Sequence, residues 1–438
     1  MKKKRYITAA VIFLAAVTAA GAVTVRKING KETVLEFGMF TGSNWDVASA
    51  NSYVIIDKAI AAFEESHPGV KIHYDSGILK EDYSEWCARK LLEGDLPDVF
   101  MVLDTDFGQY CSLGAMKDLD ELIAEDGDFD ESAYFSTALN IGKNSGHQYA
   151  LPYEVVPTLL FVNKSLLAKE NIEMPNQDWT WDDMYEICKK VTRDTNGDGL
   201  LDQFGTYNYN WLNVVNTSGA KVFSEDGSRV NFTSSEVYGA LRFTKQIYDL
   251  NQGQKVTQED YNNGKVAFMP LTFAEYRTYK TYPYKIKKYT TFQWDCTTFP
   301  AGINGGNTSE VDALLIGISD GTKHEKLAWE FLKQLTYEEE MQMDIFRYSQ
   351  GVSVLKNVTT SEEAAAIIQE DMDEGERVID SSLLGSVIED GIIAPRFQQY
   401  DQVINLADNE FSKMMEEDKN IDSTTKIFQR TINSYLKQ

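Results

Sequence analysis

Cysteine is scarce: Cys87, Cys111, Cys188 and Cys296 are the only four in 438 residues. They are widely spaced and contain no CxxC pair, so no zinc site is signalled. Three complete pairings stay open, and so does a set of four buried thiols. None lies in the first 86 residues, so no cysteine follows the N-terminal apolar run to carry a lipid. Histidine is equally sparse. His67, His73, His147 and His324 are scattered, and each reads as a surface or loop residue. Positive charge is in short supply, with 42 Lys and Arg against 67 Asp and Glu and a net charge of −25. Nucleic-acid binding draws on Lys and Arg, so no nucleic-acid partner is expected. There is no phosphate-cradling Gly-rich loop, no GxGxxG, no G-x-S-x-G and no H-E-x-x-H. Only one long apolar run exists, which excludes a multi-span membrane protein.

What remains is ordinary globular composition, 43% hydrophobic and 25% charged, at a length that suits two domains. The charge is uneven. Lys2, Lys3, Lys4 and Arg5 contribute +4 and the rest of the chain −29, against −25 overall. Residues 6–25 carry no charge. A basic start followed by an apolar stretch is an export signal. Ala20-Gly21-Ala22 suits cleavage, while twenty uncharged residues would also span a bilayer as a helix of about 30 Å. Residues 1–25 are therefore read as a signal peptide or a retained N-terminal anchor. The protein is expected to lie outside the cytoplasm, extracellular, at the cell surface or periplasmic, and to meet the membrane only through that segment.

Beyond the leader, residues 33–40 (TVLEFGMF) suit a strand, and 51–66 carry the apolar stripe of a helix. His67-Pro68-Gly69 ends that helix. Strand 70–74, helix 83–93 and strand 98–103 continue a strand–helix alternation, the signature of a parallel α/β layer. Two prolines bracket a turn before an apolar strand within 151–163. Residues 300–310 and 350–355 read as further connectors. Three connectors suggest two lobes joined by several crossings, the layout of a hinged clamp.

Three constellations could carry function. Asp194, Asn196, Asp198 and Asp202, with Gly199 at the sixth position, match the first part of an EF-hand-type calcium loop. Gly205 stands where a bidentate Glu belongs, and a metal-free Asp/Asn/Gly turn is the alternative. Any calcium is expected to be structural, and no other cofactor is expected. Aromatics next to amides or carboxylates recur at Asn44-Trp45-Asp46, 207–211 (YNYNW), 273–276 (FAEY) and Arg396-Phe397. An aromatic face covers the apolar face of a sugar while polar neighbours take its hydroxyls. Core filling is the alternative for any single ring. Asp104 and Asp106 follow a buried strand, at the edge where open α/β sheets bind ligands. A glycosidase would need two carboxylates about 5–9.5 Å apart, a distance that sequence does not supply.

The order of several segments is similar to family 1 extracellular solute-binding proteins of bacterial ABC importers, the maltose-binding-protein-like group. They are 63–74 (FEESHPGVKIHY), 94–122 (GDLPDVFMVLDTDFGQYCSLGAMKDLDEL), 149–166 (YALPYEVVPTLLFVNKSL), 179–182 (WTWD), 264–269 (GKVAFM) and 326–336 (KLAWEFLKQLT). The resemblance covers nearly the whole chain from about residue 33. It implies an α/β, two-lobed, type II periplasmic-binding-protein-like clamp. Each lobe would be a mainly parallel sheet flanked by helices, with three hinge crossings. Lobe 1 would hold residues 33–153 and 306–350, and lobe 2 residues 154–305 and 351–438. The implied function is solute binding without catalysis: capture of a carbohydrate, delivered by a monomer to ABC permease subunits. By position in the family pattern, Trp45, Asp46, Asp104, Asp106, Glu154, Trp211, Phe273, Glu275, Arg396 and Phe397 would line the site. Ala274 departs from the Trp that many members place there. Alternatives are a non-sugar solute such as a peptide, polyamine or other cation, and a glycoside hydrolase using Asp104 or Glu154.

Overall fold

The computed structural model describes residues 32–47, 51, 53–224, 227–281, 292–370, 379–397 and 399–437. The expected leader, residues 1–25, lies outside the described residues. Among them no helix is long and apolar enough to cross a membrane.

Strand β1 (Thr33–Gly38) alternates outward Val34 and Glu36 with inward Leu35 and Phe37, the period of a half-covered strand. Helix Val54–Ser66 turns Ile55, Ile56, Ala59 and Phe63 inward. Strand β2 (Val70–Tyr74) follows, then helix Lys80–Glu93. That helix stops at Gly94, whose φ of 71° is left-handed and costs a residue without a Cβ little. Strand β3 (Val99–Val102) is buried throughout. A small hairpin, β4 (Lys143–Asn144) with β5 (His147–Gln148), precedes the long strand β6 (Ala150–Asn163). Strands β7 (Phe204–Thr206), β8 (Val266–Thr272), β9 (Trp294–Thr297) and β10 (Val311–Ile318) complete the set.

The strand order is β2-β1-β3-β10-β6-β8-β7, with β9 also paired to β6. β6 belongs to two sheets. Its first half, from Ala150 to Pro157, pairs with β10, and its second half, from Thr158, pairs with β8 and β9. The sheets are mixed, which corrects the expectation of mainly parallel ones. β1 runs parallel to β2 and β3, and β7 to β8. β10 is antiparallel to β3 and β6, and β6 to β8 and β9. The physical reason is that β10 returns from the far sheet and enters between β3 and β6, against the direction of each.

Two hydrophobic clusters hold the molecule. One fills the first sheet and its helices and continues over one face of the second sheet through Phe161, Phe204 and Tyr276. The other takes the opposite face, with Leu160, Val162 and Phe268, and the helices Ser235–Leu250, Tyr400–Glu416 and Ile421–Tyr435. Val352, Leu355, Val358, Ile368 and Leu384 join the first cluster. Helices Glu362–Glu370 and Ser381–Glu389 turn their apolar sides to this first cluster. No disulfide joins the four cysteines. Burial pushes the Cys87 thiol up to about 12 and that of Cys111 to about 11, which keeps both protonated and unreactive at neutral pH.

Candidate functional site

The carboxyl ends of β1 and β3 and the middle of β6 face one cleft. It is open to solvent, has a volume of about 40 Å³, and is lined by Asn44, Asn51, Glu154, Tyr348, Ser349 and Gln350 among others. Trp45 sits in the loop after β1 and is half-buried. Its indole Nε1 donates to Glu154 Oε1 at 2.9 Å. The Ser349 hydroxyl donates to the other oxygen of Glu154. Glu154 is only 4% exposed. Burial pushes its carboxyl up, while the Ser349 and Trp45 donors and the nearby Arg277 charge pull it back. Asp46, next to Trp45, is exposed, has a φ of 53° and pairs with Lys80 at 2.9 Å.

A second cluster lies two residues along β10 on the same face, about 7 Å away by strand geometry. Asp104 opens helix Asp104–Ser112 and is ion-paired with Arg396. Arg396 also donates to the Ile141 carbonyl at 2.5 Å and lies 5.0 Å from the centre of the Phe107 ring. Glu310 and Asp312, at the start of β10, complete it. Burial and the Asp312 charge push Glu310 up to about 7, and burial and the Asp104 charge push Asp312 up to about 6. Residue Asp312 is exposed to water. Asp104 is likewise raised by desolvation, with Arg396 opposing, although its side chain is half open to water. Asp106, one turn in, accepts the Ser84 hydroxyl at 2.6 Å.

Trp45 with Glu154, and Asp104 with Arg396, are thus brought together. Several other expected residues are not. Trp211 is 4% exposed, packs edge-on to Phe411 and Phe232, and donates to Asp408 at 2.5 Å. It borders a separate groove with Tyr207, Tyr248 and Glu416. It is thus packed into the second hydrophobic cluster at the border of that groove, away from the Trp45–Glu154 cleft. Phe273 is fully buried and packs on Tyr276. Glu275 accepts the backbone N–H and hydroxyl of Thr272, at 2.8 and 3.0 Å, and so caps helix Phe273–Thr281. Phe397 packs on Phe223 and Tyr400 and covers Gly227. Ser349, Glu310 and Asp312 were not anticipated. Asp312 carried a readable signal, a carboxylate inside the apolar run 311–318.

The loop 194–202 is closed by its own hydrogen bonds. Asp194 accepts the amides of Asn196, Gly197 and Gly199, Asn196 that of Asp198, and Asp198 that of Leu200. Asp202 holds Thr195. Calcium here would have to share oxygens already engaged. Among the described residues, the one trio of His, Cys, Asp or Glu with ligand atoms within 4.8 Å of one another is Asp118, Asp120 and His147. All three are exposed, and His147 Nδ1 is 2.8 Å from Asp120 and 3.2 Å from Asp118, distances of ion pairs.

Residues 48–342, more than half of the chain, match the family described as bacterial extracellular solute-binding protein, and the chain belongs to that family. Its members are solute-binding proteins and not enzymes. The chain is 27% identical over 258 residues to the diacetylchitobiose binding protein DasA of Streptomyces coelicolor. That match spans 56% of this chain and 57% of the relative. Its fold is similar to the sugar-binding protein MalE of Xanthomonas citri, with a TM-score of 0.75 at 15% identity over 92% of this chain and 97% of the other. It is also similar to the ABC substrate-binding protein Lmo0181 of Listeria monocytogenes in complex with cycloalternan. There the TM-score is 0.66 at 21% identity, over 92% and 99% of the two chains.

Proposed function

We propose that this protein is the extracytoplasmic solute-binding subunit of an ABC importer. It captures a carbohydrate, an oligosaccharide, between two lobes and delivers it to the permease. The observation that carries this reading is the half-buried Trp45 ring, tied by its indole N–H to Glu154, which lines the cleft with Asn44, Asn51, Tyr348 and Gln350. A sugar presents an apolar face to such a ring and hydroxyls to such amides. The names of the relatives, which bind diacetylchitobiose and cycloalternan, support the same solute class.

In this reading lobe 1 is the sheet of β1, β2, β3 and β10 with helices Glu362–Glu370 and Ser381–Glu389, and lobe 2 the sheet of β7, β8 and β9 with helices Ser235–Leu250, Tyr400–Glu416 and Ile421–Tyr435. The chain crosses between them at β6, at 300–310 and at 390–397. A solute closes such a hinge only through contacts that differ between the open and closed forms. Residues 1–25 export the chain and are either cleaved or kept as an anchor, and the exported part acts as a monomer.

Thermal-shift and calorimetric titration with maltotriose, cycloalternan and diacetylchitobiose tests the proposal. A ligand bound only by the folded state raises the melting temperature. At least one of these sugars should do so, and no shift or heat from any would overturn the reading. One observation favours a second reading: Asp104, Glu310 and Asp312 outnumber Arg396 beside the cleft. A shift with spermidine and none with sugars would select a cationic solute.

A further inference from the structure

We propose that Glu154 is a positioning residue that sets the angle of the Trp45 ring without touching the solute, an inference that rests on the cleft reading above. Trp45 lies on a loop and gains no rigidity from a strand or helix of its own. Its indole has a single donor at one ring edge. Anchoring that edge to Glu154 at 2.9 Å fixes the side-chain torsions, with the ring half-buried beside the first core. Glu154 is itself fixed. It projects from β6, the strand shared by both sheets, and takes the Ser349 hydroxyl on its second oxygen and the Gly351 N–H.

Gly351 shows that the chain is shaped around this carboxylate. A Cβ there would stand 2.5 Å from Glu154 Oε2 and 3.0 Å from its carboxyl carbon, so a side chain at 351 would push the carboxylate out of place. Burying a carboxylate is costly unless several donors meet it. Here the donors come from the loop after β1 and from the chain at 349–351, and Arg277 of helix Phe273–Thr281 adds its charge from the second sheet. Both oxygens are engaged and the residue is 4% exposed. In this proposal the carboxylate therefore serves the indole rather than a solute hydroxyl, although it also lines the cleft.

The test is a double-mutant cycle with Trp45→Phe and Glu154→Gln, read by titration of maltotriose and diacetylchitobiose and by near-UV circular dichroism. Glu154→Gln should weaken binding about tenfold, the equivalent of one charged hydrogen bond. In the Trp45→Phe background it should add less than twofold. The dichroism of Trp45, taken as the difference between a protein and its Trp45→Phe form, should collapse when Glu154 is Gln. An undiminished tenfold effect without the indole, or an unchanged Trp45 signal, overturns the proposal. Should neither sugar bind, the cleft reading fails, while the dichroism arm still decides whether Glu154 orients Trp45. If Glu154→Gln does not fold, Glu154→Asp keeps the charge and draws the oxygens back by one methylene. It should give the same collapse, and a retained Trp45 signal would overturn the idea.

Discussion

Truncating Trp211 to alanine removes a ring that is 4% exposed and leaves Asp408 without its indole donor. The expected loss is about 3–5 kcal/mol of folding stability, the range for a large buried aromatic. Urea denaturation of Trp211→Ala measures it. A loss of sugar affinity at unchanged stability would contradict the core assignment. Asp312 makes a prediction of opposite sign. Its folded value of about 6 lies above the ordinary carboxylate range, so between about pH 4 and 6 the folded state holds a proton that the unfolded chain releases. Stability from this group therefore falls as pH rises through that window. Asp312→Asn should melt higher than the parent at pH 8, with the gap shrinking steadily toward pH 4. A gap that does not change with pH would show that Asp312 bears no such penalty. At this scale the sequence was half legible. Trp45, Asp104 and Arg396 could be found as aromatic or charged residues in loops. Trp211, Phe273 and Phe397 look the same in one dimension, and only the rings packed around them separate a platform from a core residue.

Local signals served the elements well. Thr180 and Asp183 form a reciprocal capping box at the start of helix Trp181–Val191, with the Thr180 hydroxyl accepting from the Asp183 N–H. Thr180→Ala should cost about 1 kcal/mol, measured by chemical denaturation, because an orphan N–H loses its acceptor. No measurable loss would mean that water replaces the cap without cost. Helix Val54–Ser66, strand β2 and strand β3 are readable from periodicity and from the stop at His67-Pro68-Gly69. Strand direction in the sheets was not. The first three strands alternate with helices, which reads as parallel, but β10 pairs with β3 and β6 across long stretches of chain. Apolar runs such as 311–318 carry no mark of which strand lies beside them. The packing of helices Glu362–Glu370 and Ser381–Glu389 on the first core was hidden for the same reason: an amphipathic helix announces that it has a buried face, and not which sheet receives it.

Across the whole molecule, the net charge of −25 is spread over ion pairs such as Lys58–Asp344 and Lys333–Asp126 and over many unpaired surface acids. Such a surface keeps an exported protein soluble and apart from anionic polymers. The cleft is lined by apolar side chains such as Met39, Phe40 and Met101 together with amides, hydroxyls and one carboxylate that has partners on both oxygens. That contrast suits a neutral solute better than a charged one, while the neighbouring Asp104–Arg396 cluster marks where charge selection would act.

β6 belongs by hydrogen bonding to both sheets, and its side chains enter both hydrophobic clusters, Leu159 and Phe161 one and Leu160 and Val162 the other. Neither lobe can lose its order without withdrawing a central strand from the other. The two lobes should consequently melt as one cooperative unit. Differential scanning calorimetry should give a single transition whose calorimetric and van't Hoff enthalpies agree. Two resolved transitions would show that the shared strand does not bind the fates of the lobes.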